Sequence, residues 1–145
     1  MSTWILEVGN SRAKWAKFSA KASPTDDPLN VQACDIQEKL PDMAQTWLKD
    51  IAPEDQVLVT GSGDLAPWVE AFHPTKVLRP GDALPLSTEV NEPGKLGLDR
   101  IANAWAVASG TVPGADPTQA WLVVDAGTCV TCLLYTSDAA DDVRG

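Results

Sequence analysis

The chain opens with two short stretches of the kind that pair in a sheet. Residues 3–8 are apolar and rich in β-formers, and residues 13–18 alternate apolar with polar. Between them Gly9-Asn10-Ser11 is a turn signal, so the pair is predicted to form a β-hairpin. Residues 19–29 gather Ser, Pro and Asp and are predicted as loop. Across 41–51, Met43, Trp47, Leu48 and Ile51 recur at helical spacing, with Pro41 suited to the first turn. Residues 56–60 predict a strand, Gly61-Ser62-Gly63 a tight connection, 65–72 a short helix and 76–78 a further short strand. Residues 80–93, rich in Pro, Gly and Asp, predict an extended loop. A second helix is predicted over 96–108, with Leu96, Ile101, Ala104, Trp105 and Ala108 on its apolar face. Residues 111–118 hold two prolines and a glycine and mark a domain boundary. A strongly apolar strand, 121–124, then runs into Asp125-Ala126-Gly127-Thr128.

Composition narrows the classes this pattern can serve. The 145 residues are 44% hydrophobic and 21% charged, enough apolar surface for a core and an ordinary charge content for a globular chain. A net charge of −9 excludes a phosphate-backbone partner such as nucleic acid, which demands clustered Lys and Arg. It does not exclude a nucleotide held by a few local groups. Cys34, Cys129 and Cys132 are odd in number, which fits a reducing cytoplasmic setting rather than a disulfide framework or zinc site. No basic segment precedes a long apolar run at the N-terminus, and no stretch approaches membrane-spanning length. Trp15, Trp47, Trp105 and Trp121 sit in apolar-periodic settings and are expected in the core, while Trp4 and Trp68 are not assigned. His73, the single histidine, has no nucleophile signature nearby.

One echo carries chemistry. A strand end, an acidic residue and a Gly-polar turn occur at Glu7-Val8-Gly9-Asn10 and again at Asp125-Ala126-Gly127-Thr128. A glycine there lets backbone N–H groups approach an anion, and the acid can hold a cation that offsets phosphate charge. Either turn alone is an ordinary structural turn; the pair, with Lys14 just after the first, favours phosphate binding. Leu96-Gly97-Leu98-Asp99-Arg100 opens the second helix. Asp99 there is ordinarily a cap or a first-turn charge, and alternatively a general base for a hydroxyl; Arg100 is a surface ion pair or a carboxylate ligand.

Residues 7–15, Glu-Val-Gly-Asn-Ser-Arg-Ala-Lys-Trp, resemble the first phosphate motif of type III pantothenate kinases. Residues 96–100 are similar to that family's Gly-x-Asp-Arg substrate motif, and residues 124–131 to its second phosphate motif, Asp-x-Gly-Thr-x-x-Thr. The resemblance implies an α/β chain with a ribonuclease H-like (actin-like ATPase) domain, a mixed sheet flanked by helices, and the beginning of a second such domain. The expected division is 1–112 for the first domain, 113–131 for a linker and the start of the second, and 132–145 for a tail. It also implies ATP-dependent phosphorylation of pantothenate to 4′-phosphopantothenate, the first step of coenzyme A biosynthesis.

By the same resemblance Glu7, Val8, Gly9, Asn10, Ser11, Arg12, Ala13 and Lys14 line the ATP phosphates and Thr128 touches ATP. Asp99 is the catalytic base. Gly97, Leu98, Asp99 and Arg100, with Val90, form the pantothenate site, and Asp125 holds a monovalent cation, K+ or NH4+. Mg2+ accompanies ATP, and the full-length protein is a cytoplasmic homodimer. The family's usual Asp is Glu7 here, its pocket Tyr is Val90, and an acidic position after the second motif is Leu133. From Cys132 on the wording departs from the family and resembles translated sequencing adapter, so 132–145 is read as a divergent tail, either non-native or a genuine polar one. Most of the second domain is then absent, and this fragment alone is expected to be inactive. The alternative readings are a non-catalytic, nucleotide-sensing or regulatory relative of the same fold, and a different phosphotransferase of the superfamily.

Overall fold

The computed structural model describes residues 1–23, 26–36, 40, 42–79, 82, 92, 97–126, 130–136 and 142–144, with residues 43 and 142–144 described by backbone alone. The chain divides into two compact units, Met1–Arg79 and Pro80–Gly145.

In the first unit β1 (Ser2–Val8), β2 (Arg12–Ser19), β3 (Asn30–Asp35), β4 (Gln56–Gly61) and β5 (Lys76–Leu78) form one sheet, ordered β3-β2-β1-β4-β5. β1 is central, antiparallel to β2 and parallel to β4, so the sheet is mixed. The predicted hairpin is present with Val8 opposite Ala13 and Glu7 opposite Lys14. Alternation sends Trp4, Leu6 and Val8 to one face, beside Ala13 and Trp15 of β2 and Val57 and Val59 of β4. Two helices, α1 (Asp42–Asp50) and α2 (Ala66–Phe72), supply Ala44, Trp47, Trp68 and Phe72 to that same core. Trp4, Trp15 and Trp47 form an aromatic cluster, the first pair tilted and the second edge-to-face, with centroids 4.8 and 5.2 Å apart, each pair contributing about 0.5–1.5 kcal/mol beyond its buried area. Trp4 and Trp68, unassigned from sequence, are thus core residues, at 4% and 2% exposure.

Asp55 ties the start of β1 to the turn before β4. Its carboxylate accepts the Trp4 indole N–H at 2.9 Å, the Ser2 amide at 2.7 Å and the Ala52 amide at 3.0 Å. Those bonds, the indole foremost, hold the Asp55 carboxyl below its usual range.

The second unit holds α3 (Leu98–Ala108) and an antiparallel sheet β6-β7-β8 made of Trp121–Ala126, Val130–Thr136 and Asp142–Arg144. Ala104 and Leu133 are its buried centre, with Ile101 and Val123 packed on them. α3 therefore groups with β6 and β7, whereas the Pro- and Gly-rich segment 111–118 placed a boundary after it. Trp105, expected in the core, is 42% exposed. The helix buries Leu98, Ala104 and Val107, and Trp105 is turned about 100° from Ala104. β7 runs straight through Cys132, where the divergent tail was expected to begin. Leu133 and Tyr135 are buried at 2% and 4%, and the Tyr135 hydroxyl donates to the Pro117 carbonyl at 2.9 Å. β3, β7 and β8 were not foreseen as strands.

Two outcomes test this packing. Asp55 is stabilising above about pH 3.9, the unfolded aspartate value, and that contribution disappears as pH falls through its lower folded value. Asp55→Asn should lose about 1 kcal/mol at neutral pH and show a shallower decline of urea-unfolding stability between about pH 5 and 2. Leu133→Ala should cost about 2–5 kcal/mol in the same assay; no loss would mean that β7 is not part of a packed unit.

Candidate functional site

The first cluster of candidates sits at the tip of the β1–β2 hairpin. The Gly9 amide donates to the Arg12 carbonyl at 2.8 Å, closing a tight turn with Asn10 and Ser11 exposed at its crest. Val8 and Ala13 anchor the turn in the core at 1% and 0% exposure. Glu7, Arg12 and Lys14 alternate to the other face and are exposed. Glu7 and Lys14 are register partners with no ion pair between them. Arg12 meets Asp35 of β3 at 3.6 Å, with both side chains more than half exposed, a contact worth a few tenths of a kcal/mol. All eight residues of the first motif are thus gathered at one strand-turn-strand: Val8 and Ala13 fix it, Gly9 shapes it, and Asn10, Ser11 and Lys14 offer exposed donors.

Sequence reasoning left out what stands behind this turn. β4 is parallel to β1 and ends at Gly61, opposite Val8. Gly61 has φ 135°, a conformation that L side chains rarely adopt, and a Cβ there would strike the Val8 carbonyl. Two residues on, the Gly63 amide donates to the Val8 carbonyl at 3.0 Å. A signal was available: two glycines spaced by one residue at the end of a predicted strand.

The second cluster belongs to the other unit. Gly97 is the N-cap of α3 in extended geometry (φ −61°, ψ 138°), and Asp99 lies in the first turn. A cap was the ordinary expectation for Asp99, yet its exposed carboxylate takes no hydrogen bond or ion pair from any described residue. It lies back over Gly97, where a Cβ would come within 2.5 Å of Asp99 Oδ1. The glycine of this motif therefore leaves room for the acid two positions on. Arg100 is half-exposed and likewise lacks an ion pair among the described residues. Leu98 is buried at 8%.

Asp125 lies at the end of β6, half-buried, opposite Thr131. Its Oδ2 receives only a long bond, 3.5 Å, from Asn103 Nδ2. Asn103 is one turn beyond Asp99 on α3, so the two candidate acids of this unit are related through one helix face. Asp125 also borders an open cleft of about 560 Å³ along β6, lined in part by Asn103, Val107 and Trp121. Its carboxylate oxygens are the donor type a potassium-like cation takes. No group of three or more His, Cys, Asp or Glu suited to a metal occurs among the described residues. Val90 and Thr128, and with Thr128 the Gly127 of the second motif, lie outside the described residues. Burial pushes the Cys34 thiol up, away from reactivity. No helix among the described residues is long and apolar enough to cross a membrane.

A family model described as type III pantothenate kinase matches residues 4–140, nearly the whole chain. No curated protein sequence matches. Among solved structures, the chain is similar to the activator of the 2-hydroxyisocaproyl-CoA dehydratase from Clostridium difficile with bound ADPNP. That match has a TM-score of 0.51 and 15% identity over 97% of this chain and 43% of the other. A match to the Lmo2764 protein from Listeria monocytogenes has a TM-score of 0.49 and 11% identity, over 94% and 48%. The chain spans less than half the length of either. The first likeness and the family match agree with the mixed sheet in assigning an actin-like ATPase, α/β fold.

Because Asp99 caps nothing, Asp99→Asn should change the unfolding free energy of this chain by no more than about 1 kcal/mol, the scale of a charge–dipole contact. A larger loss in denaturant titration would reveal a structural acid.

Proposed function

The chain belongs to the type III pantothenate kinase family, and from that premise we propose that the protein it represents transfers the γ-phosphoryl group of ATP to the primary hydroxyl of pantothenate. The observation that carries this reading is Asp99: an exposed carboxylate in the first turn of a helix, with no hydrogen bond or ion pair among the described residues. A carboxylate used only for structure would be expected to cap or to pair.

In this mechanism the amides of Asn10 and Ser11 and the side chains of Asn10, Ser11 and Lys14 receive the triphosphate, Gly9 shapes the turn that presents them, and Thr128 touches it from the second motif. Asp99 accepts the proton of the pantothenate hydroxyl as its oxygen bonds to the γ-phosphorus and the bond from that phosphorus to the ADP oxygen breaks. Arg100, unpaired in the described structure, takes the pantothenate carboxylate with two parallel N–H bonds. Val90 would line the same pocket. Mg2+ with the nucleotide and a monovalent cation at Asp125 supply positive charge that offsets the phosphates. Glu7 keeps the charge of the family's Asp on a side chain longer by about 1.5 Å. The bound ADPNP of the similar Clostridium difficile activator is in keeping with a nucleotide site on this fold. The homodimeric, cytoplasmic enzyme at the first step of coenzyme A synthesis is part of the same proposal. So is the inactivity of these 145 residues alone, which span under half of the solved structures they match.

The test is ADP release by the full-length gene product with and without pantothenate and potassium. Pantothenate-dependent turnover that rises with potassium is expected; turnover indifferent to pantothenate would overturn the proposal. Asp99→Asn should lower kcat by at least a hundredfold while ATP binding stays within about threefold. Equal loss of both would assign Asp99 a structural role.

A further inference from the structure

We propose that Gly63, with Gly61, is a positioning residue for the nucleotide: the two glycines set where the tip of the β1–β2 hairpin stands. The inference rests on the reading that this tip receives the triphosphate, and it names residues outside all three motifs.

The geometry is backbone against backbone. The Val8 carbonyl, at the end of the central strand, accepts the Gly63 amide at 3.0 Å. A Cβ at Gly63 would overlap the Gly9 carbonyl oxygen and lie 2.9 Å from the Gly9 carbonyl carbon. Neither atom belongs to a flexible side chain that can step aside. Gly9 is itself bonded to Arg12, so moving its carbonyl moves the whole four-residue turn. Gly61 adds a second constraint through its φ of 135° and its closeness to Val8. Gly63 has no such backbone requirement, so an alanine there acts through its contacts with the Gly9 carbonyl and, at 3.3 Å, the Val8 carbonyl oxygen. The displacement needed to restore ordinary van der Waals separation is on the order of 1 Å, enough to cost up to a hundredfold where donors must meet an anion.

The experiment measures affinity of the full-length gene product for a non-hydrolysable ATP analogue by calorimetry, with the pantothenate KM and thermal unfolding followed in parallel. Gly63→Ala is expected to weaken the analogue by tenfold or more, with the pantothenate KM within twofold and a cooperative melt retained. A folded Gly63→Ala protein of unchanged analogue affinity overturns the inference, as does a parallel rise in analogue Kd and pantothenate KM, which would mark a general defect. If Gly63→Ala does not fold, Ser62→Gly, which loosens the turn without a clash, decides by the same split: weaker analogue binding alone supports the inference, and any other result overturns it. Wild-type protein that binds the analogue but ignores pantothenate would sink the proposed substrate and leave this inference standing. Wild-type protein that binds no nucleotide would sink both.

Discussion

Everything at the candidate phosphate site depends on one strand end. β1 is the middle strand of its sheet, and at Val8 its carbonyl is held by the Gly63 amide while its side chain is closed into the core. Side chains on β1 and β2 below that point are fixed by the tryptophan cluster, and from above the β4 terminus leaves no room for a Cβ at Gly61. The hairpin turn that follows is therefore short, rigidly based and exposed at its crest. Those are the properties a backbone anion site requires, since its donors must be in place before the ligand arrives.

The second unit shows a different economy of parts. α3 buries Leu98, Ala104 and Val107 and leaves Asp99 and Arg100 without partners among the described residues, so core and polar groups are segregated within three turns. Gly97 serves two purposes at once, opening the helix and giving space to the Asp99 carboxylate. Leu133, standing where the family places an acid, packs on Ala104 at 2% exposure. An acid at that depth would be costly without a partner, so the substitution suits the packing found in this chain.

Much of this was legible in advance because it rests on short-range rules. The hairpin at 9–11 and the helices near 41–51, 65–72 and 96–108 follow from turn residues and from periodicity, and each appears within two residues of its expected bounds where described. β3 was missed because Asn30–Asp35 is an edge strand whose residues are exposed or half-buried, so no face of it stands out. β7 was missed for another reason: its wording departs from the family at Cys132, yet Leu133 and Tyr135 alternate inward as any strand would. Trp105 was placed in the core on size and spacing, but the face is set by Leu98, Ala104 and Val107 together. The spacing of Gly61 and Gly63 hinted at a close backbone approach, but its partner was not legible, because the contact joins the end of β4 to the end of β1, far apart in sequence.

In the phosphoryl transfer proposed above, the hairpin tip and Asp99 serve one reaction. A crystal structure of the full-length protein with an ATP analogue and pantothenate tests it most directly. The expected result is the triphosphate against residues 10–14 at the hairpin tip and the Asp99 carboxylate about 3 Å from the acceptor hydroxyl. A triphosphate bound elsewhere, or Asp99 out of reach of the hydroxyl, would contradict it.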